Sequence, residues 1–219
     1  MSVYLSHARR AGLIEQVAFK TFVHVEPEER PRLSQVALEV IDLLRPSLLP
    51  SALEQLSIWT DEDLAPFSHD AFVNPFIVIE GPRDVLRTIH DLVSPHEGVA
   101  MVPSIRRLGD ALWSPRFPGA RVFLVPVSRL EGTKPTTMGF NVPKLERLLA
   151  VVLTMPPLMP EAALTLMSRP EFRLSRAWHA IPSRRTAVVL GALLQWIREH
   201  QPSHLVLGQV EEEFGEWRW

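Results

Sequence analysis

The sequence predicts a mixed α/β fold: a small sheet of about three or four strands with flanking helices, followed by an all-helical C-terminal part. Three observations predict it. Short apolar runs alternate with amphipathic stretches between residues 74 and 128. From Pro143 onward the apolar residues recur only at helical spacing. The 219-residue chain also carries 20 prolines against 10 glycines, which reads as punctuation between many short elements. The division is expected at residue 141, with 1–141 as the mixed part and 142–219 as the helical part, the two sharing one core.

Taken in order, the opening segment reads as a helix to Ala18, and Phe19 to Val25 alternates like a strand. Glu26-Pro27-Glu28-Glu29-Arg30-Pro31 is a polar hinge. Leu33, Val36, Ala37, Val40, Ile41 and Leu44 then repeat at the spacing of one helix face, and Pro46 stops that helix. A second short helix is expected from Ser51 to Ile58, with Ser51 as its N-cap. Thr60-Asp61-Glu62-Asp63 has the form of a capping box, with acid where the helix dipole favours it.

The middle of the chain reads strand, helix, strand, helix, strand. Phe76 to Ile79, Val99 to Val102 and Arg121 to Val127 supply the strands. Val85, Leu86, Ile89, Leu92 and Val93 mark one intervening helix, and Ile105, Leu108, Leu112 and Trp113 mark the other. Beyond Pro143 come helices around Leu145 to Val152, Glu161 to Met167, Pro182 to His200 and His204 to Trp217. The run from Ala187 to Leu194 is apolar on every side, which predicts a buried central helix, covered on most sides, rather than a functional surface.

The composition excludes several chemistries. There is no cysteine, so disulfides, thiolate metal sites and cysteine nucleophiles are removed together. The scattered glycines form no GxG, P-loop or nucleophile elbow, so no cofactor is expected. Met1 to Arg10 has no apolar stretch of the secretory kind, and the longest apolar runs fall short of the roughly 20 residues of a membrane span. The expected location is the cytoplasm, with no membrane contact. The basic residues are 20 Arg and only Lys20, Lys134 and Lys144, which reads as a bias of GC-rich bacterial coding or as selection for bidentate arginine contacts.

Histidines beside carboxylates are the remaining route to acid–base or metal chemistry: His69-Asp70, His90-Asp91 and His96-Glu97. His90, Asp91 and His96 do not have the spacing of a helical metal motif and read as a helix end whose imidazoles suit the dipole. No bound metal is expected. Asp61, Glu62 and Asp63 read as a helix start rather than a cation site. Trp59, Trp113, Trp178 and Trp196 read as core, while Trp217 and Trp219 read as core docking or a partner anchor.

Charge is the most informative feature. Residues 1–100 hold 8 basic and 15 acidic side chains, residues 101–205 hold 14 and 6, and residues 206–219 hold 1 and 4. Arg169, Arg173, Arg176, Arg184 and Arg185 form a basic stretch, and Glu211, Glu212 and Glu213 an acidic one. The pattern predicts a non-catalytic binding protein, of the bacterial immunity or accessory kind, that meets another protein of complementary charge. Those eight residues with Trp217 and Trp219 are the candidate contact set. Two alternatives stay open. One is an enzyme with dispersed His and carboxylate groups. The other is nucleic-acid binding through Arg169 to Arg185, against which the sequence pI of 6.5 argues.

Overall fold

The structure, a computed structural model, describes residues 14–18, 21–24, 35–67, 75–112, 119–155, 160–181 and 183–214. Strands β1 (Ile14–Ala18) and β2 (Thr21–His24) pair as an antiparallel hairpin. Ile14–Ala18 is therefore a strand and not the expected helix. A partner rich in Thr, Phe and Val lies three residues further on, and local pairing with it outweighs the weak helical spacing.

Six further strands, β3 (Ser57–Thr60), β4 (Ile77–Gly81), β5 (Val99–Met101), β6 (Val122–Pro126), β7 (Thr133–Pro135) and β8 (Asn141–Pro143), form one mixed sheet in the order β5-β6-β4-β3-β8-β7. Strands β4, β5 and β6 run parallel, β3 is antiparallel to β4 and parallel to β8, and β7 closes the edge antiparallel to β8. The sheet is larger than the three or four strands expected. The additional strands are β3, β7 and β8. All four residues of β3 are buried, so it shows no alternation. β7 and β8 are three residues long and both carry proline.

The helices are α1 (Gln35–Leu44), α2 (Pro50–Leu53), α3 (Asp61–Leu64), α4 (Arg83–Val93), α5 (Leu108–Leu112), α6 (Leu145–Val152), α7 (Pro160–Met167), α8 (Leu174–Ala180), α9 (Arg184–His200) and α10 (Leu205–Phe214). The expected helix from Ser51 to Ile58 is cut to α2, whose N-cap is Leu49 with Pro50 at the first helical position. Ile58 lies in β3 instead. The capping box stands: Thr60 Oγ1 accepts from the Glu62 amide at 3.2 Å, and Asp63 Oδ2 accepts from the Thr60 amide at 2.8 Å. Asp61 Oδ1 accepts from the Phe76 amide at 3.1 Å, so this acidic run starts a helix and ties it to the sheet.

Alternation sends each strand's side chains to two faces. Ile58, Ile77, Ile79, Val122 and Leu124 pack with Ala37, Val40 and Ile41 of α1 and with Leu86 and Ile89 of α4. Trp59, Val78, Phe123 and Val125 pack on the other face with α6 to α10. The result is three layers, with the C-terminal helices forming one of them.

That layering corrects one expectation. In α9, Leu190, Leu193, Leu194 and Ile197 are buried, but Val188 is 64% exposed and Trp196 41% exposed. Ala192 is exposed as well. An outer layer covers its helices on the core side only, so the apolar run is not enclosed and Trp196 is not core. Trp59 is fully buried and Trp178 half-buried against the core, while Trp113 lies outside the described residues. The helix begins at Arg184 rather than Pro182, with Ser183 as its N-cap, its Oγ accepting from the Thr186 amide at 3.1 Å.

Candidate functional site

A charged groove lies beside residues 131–146, where the sequence predicts no site. Gly132 takes a left-handed φ of 70°, and its carbonyl accepts from the Lys144 amide at 2.8 Å. That bond brings the loop ahead of β7 against the start of α6. At the β7–β8 turn, Thr136 Oγ1 donates to the Phe140 carbonyl at 2.7 Å, and Gly139 has a φ of 87°. Lys134 and Lys144 are thereby set on adjacent strand and helix.

The opposite wall is α8, a helix the sequence reading did not separate from its surroundings. Its own N-cap, Arg173, makes no side-chain cap. Two side chains from other helices hold its start. Glu146 Oε1 accepts from the Arg173 amide at 3.0 Å. Gln209 Oε1 accepts from the Leu174 amide at 2.8 Å while its Nε2 donates to the Phe172 carbonyl at 3.0 Å. Long-range capping of this kind leaves no local sequence signal.

Between these walls lie two spaces of about 330 and 310 Å³ that share Lys144, Glu146 and Arg176. Glu131 and His179 line one, Lys134 and Glu171 the other. His179 Nδ1 lies 2.7 Å from the Ser175 carbonyl, to which it donates as the Nδ1–H tautomer. Gly132 stands between the groove and the core, where an added Cβ would meet Arg147 Cβ at 3.4 Å. Arg147 in turn reaches the buried carboxylate of Glu80.

The predicted contact residues are dispersed. Arg169 stands over the Phe67 ring at 5.4 Å. Arg173 Nη1 donates to the carbonyls of Pro170 and Phe172 at 2.7 and 2.9 Å, closing its own turn. Arg176 lines the groove, and Arg184 and Arg185 are exposed at the start of α9. Glu211 and Glu212 are exposed on α10, whereas the Glu213 side chain, Trp217 and Trp219 lie outside the described residues.

The histidines do not converge. His90 Nδ1 lies 3.3 Å from Asp91 Oδ1 at the end of α4, His96 is exposed just beyond, and both belong to the layer across the sheet from the groove. His69 lies outside the described residues. Among the described residues no group of three or more His, Asp or Glu is gathered as a metal site.

Lys134, Lys144, Glu131, Glu146, Glu171 and His179 escaped the sequence reading. One signal pointed to two of them. Of only three lysines in a chain with 20 arginines, two line this groove. No described helix is long and apolar enough to cross a membrane. No protein-family model matches the chain, and no curated protein or solved structure is similar to it.

Proposed function

We propose that this chain is a non-catalytic binding protein of the cytoplasm that docks on an acidic protein partner, as immunity and accessory proteins do, through the outer face of α9. The observation that carries the reading is the arrangement of that face. Arg184, Val188, Ala192 and Trp196 recur every four residues, so they stand in one row. Val188 and Trp196 are exposed large apolar side chains, and Arg184 and Arg185 form no ion pair among the described residues. The Trp196 ring stacks on His200 at 4.8 Å and 14°, and His200 Nδ1 lies 3.0 Å from the Trp196 carbonyl. A tryptophan held in place loses little side-chain freedom on binding, and Trp and Arg dominate the energetics of protein interfaces.

The partner is acidic because the cations at the N-terminal end of this face lack counter-charges within the described chain. Affinity capture from the cells of origin tests this with wild-type protein, Trp196→Ala and the double variant Arg184→Glu/Arg185→Glu. The expected result is one acidic protein held by the wild type, released at high salt and lost from both variants. Retention by both variants would refute the reading. So would light scattering showing that the face joins two copies of this chain, or nuclease-sensitive retention of nucleic acid.

A further inference from the structure

We propose that the groove between the β7–β8 hairpin and α8 is a binding site for a small zwitterionic ligand of amino-acid to dipeptide size. Lys144 and Arg176 take its carboxylate and Glu146 takes its ammonium. The site is separate from the α9 face, and either can fail without the other.

Three cations and three carboxylates line the groove: Lys134, Lys144 and Arg176 against Glu131, Glu146 and Glu171. None of the six forms an ion pair with another within 4.0 Å among the described residues. Long charged side chains sharing one concavity gain from closing on each other unless the backbone holds them apart. The groups stand on separately anchored elements: the Lys144 backbone is tied to Gly132, Arg176 sits on α8, and the Glu146 side chain is held by the Arg173 amide.

Glu146 is the decisive group. It is only 3% exposed, yet one of its oxygens has no hydrogen-bond partner among the described residues. That oxygen is not among the fully enclosed polar atoms that lack a partner, and Glu146 lines both halves of the groove. A carboxylate this desolvated is stabilised by a counter-charge delivered to it. The start of α6 adds donors for the ligand's other end. The N-cap Lys144 makes no side-chain cap, and the Leu145 and Glu146 amides have no partner among the described residues.

Mixed charge also sets specificity. An anion alone must sit beside Glu131, Glu146 and Glu171, and a cation alone beside Lys134, Lys144 and Arg176. Only a ligand of both signs gains at both ends. About 330 Å³ lies within the range of small-molecule sites.

The test is an NMR titration of the full chain with three probes of similar size: glycylglycine, N-acetylglycine with the carboxylate alone, and glycylglycinamide with the ammonium alone. Glycylglycine should give saturable shifts at the amides of Lys144, Glu146 and Arg176, with each half-probe weaker by about tenfold or more. Arg176→Ala and Lys134→Ala, both at exposed positions, should weaken binding several-fold with the melting temperature unchanged. Glu146→Gln should abolish the preference for the zwitterion. Because that variant also touches the start of α8, the exposed variants keep the test decisive if it misfolds. Shifts that never saturate with glycylglycine, half-probes that bind equally well, or Arg176→Ala binding as the wild type does would overturn the proposal.

Discussion

Glu80 on β4 and Arg147 on α6 join the sheet to the helical layer through a buried ion pair. The other Glu80 oxygen accepts from Trp59 Nε1 at 3.1 Å, so both oxygens are satisfied inside an otherwise apolar core. Arg147 is less well served: its Nε is buried without a partner, as is the Oγ of neighbouring Ser57. Removing one member strands a charge, whereas removing both does not. Arg147→Leu should therefore destabilise the fold by about 3–5 kcal/mol, and Glu80→Gln added to it, which removes the charge and keeps an acceptor for Trp59 Nε1, should restore much of the loss. Urea unfolding of the single and double variants checks this. A double variant no more stable than the single one would show that the pair is not the cause.

His204 should make the C-terminal layer sensitive to acid. Its Nδ1 accepts from the Val206 amide at 3.2 Å, capping α10, and its Nε2 lies 3.0 Å from Ser168 Oγ at the end of α7. The cap requires a neutral ring protonated on Nε2. Burial holds the imidazole below its ordinary 6.5, opposed in smaller part by the Leu164 backbone. A folded value below the unfolded one means that the contribution is complete above 6.5 and is lost as pH falls below it. Thermal melts should fall over that window in the wild type. His204→Asn keeps a capping oxygen without the titration and should flatten the profile.

Asp63 works in the opposite sense. Burial raises its carboxyl from 3.8 to about 6, against the lowering effect of the Thr60 amide. Its contribution is thus complete below 3.8 and lost as pH rises through about 6. Asp63→Asn retains an acceptor for the Thr60 amide. It should be more stable than the wild type above pH 6, with the gap closing on acidification. Denaturation midpoints across that range measure it, and a gap independent of pH would contradict the assignment.

What the sequence made legible follows from where each signal resides. The capping box at Thr60, the helix ending at Pro46 and the strands at Ile77 and Val122 depend on neighbours a few residues away, and they are all present. Strand β8 exists because Asn141 pairs with Ser57, and Asn141 Nδ2 donates to the Glu54 and Leu56 carbonyls at 2.7 and 3.1 Å, contacts more than eighty residues apart in the chain. Helix α8 depends in the same way on Glu146 and Gln209. The groove is built from these long-range pieces, so its residues carried no motif. Gly109 was visible but not its reason: a Cβ there would meet the Thr154 carbonyl oxygen at 2.2 Å, where α5 approaches the end of α6.

The two sides of α9 should separate scaffold from surface. Leu193 is buried in the cluster that covers Trp59 and Phe123, so Leu193→Ala removes apolar contacts and leaves a cavity. The expected loss is about 2–5 kcal/mol. Against a total of roughly 5–15 kcal/mol, that is a large fraction of the stability. On the outer side, Val188→Ala, Arg184→Ala and Arg185→Ala alter exposed positions without a partner among the described residues and should stay within about 0.5 kcal/mol. The Ser183 cap lies next to Arg184 but uses its own Oγ on the Thr186 amide, so the arginine change leaves it intact. If these outer variants also lose capture of an acidic partner, the surface acts without being needed for folding. If instead Val188→Ala lowered the unfolding midpoint as far as Leu193→Ala does, the outer face would be covered in solution and the three-layer arrangement of α9 would be wrong.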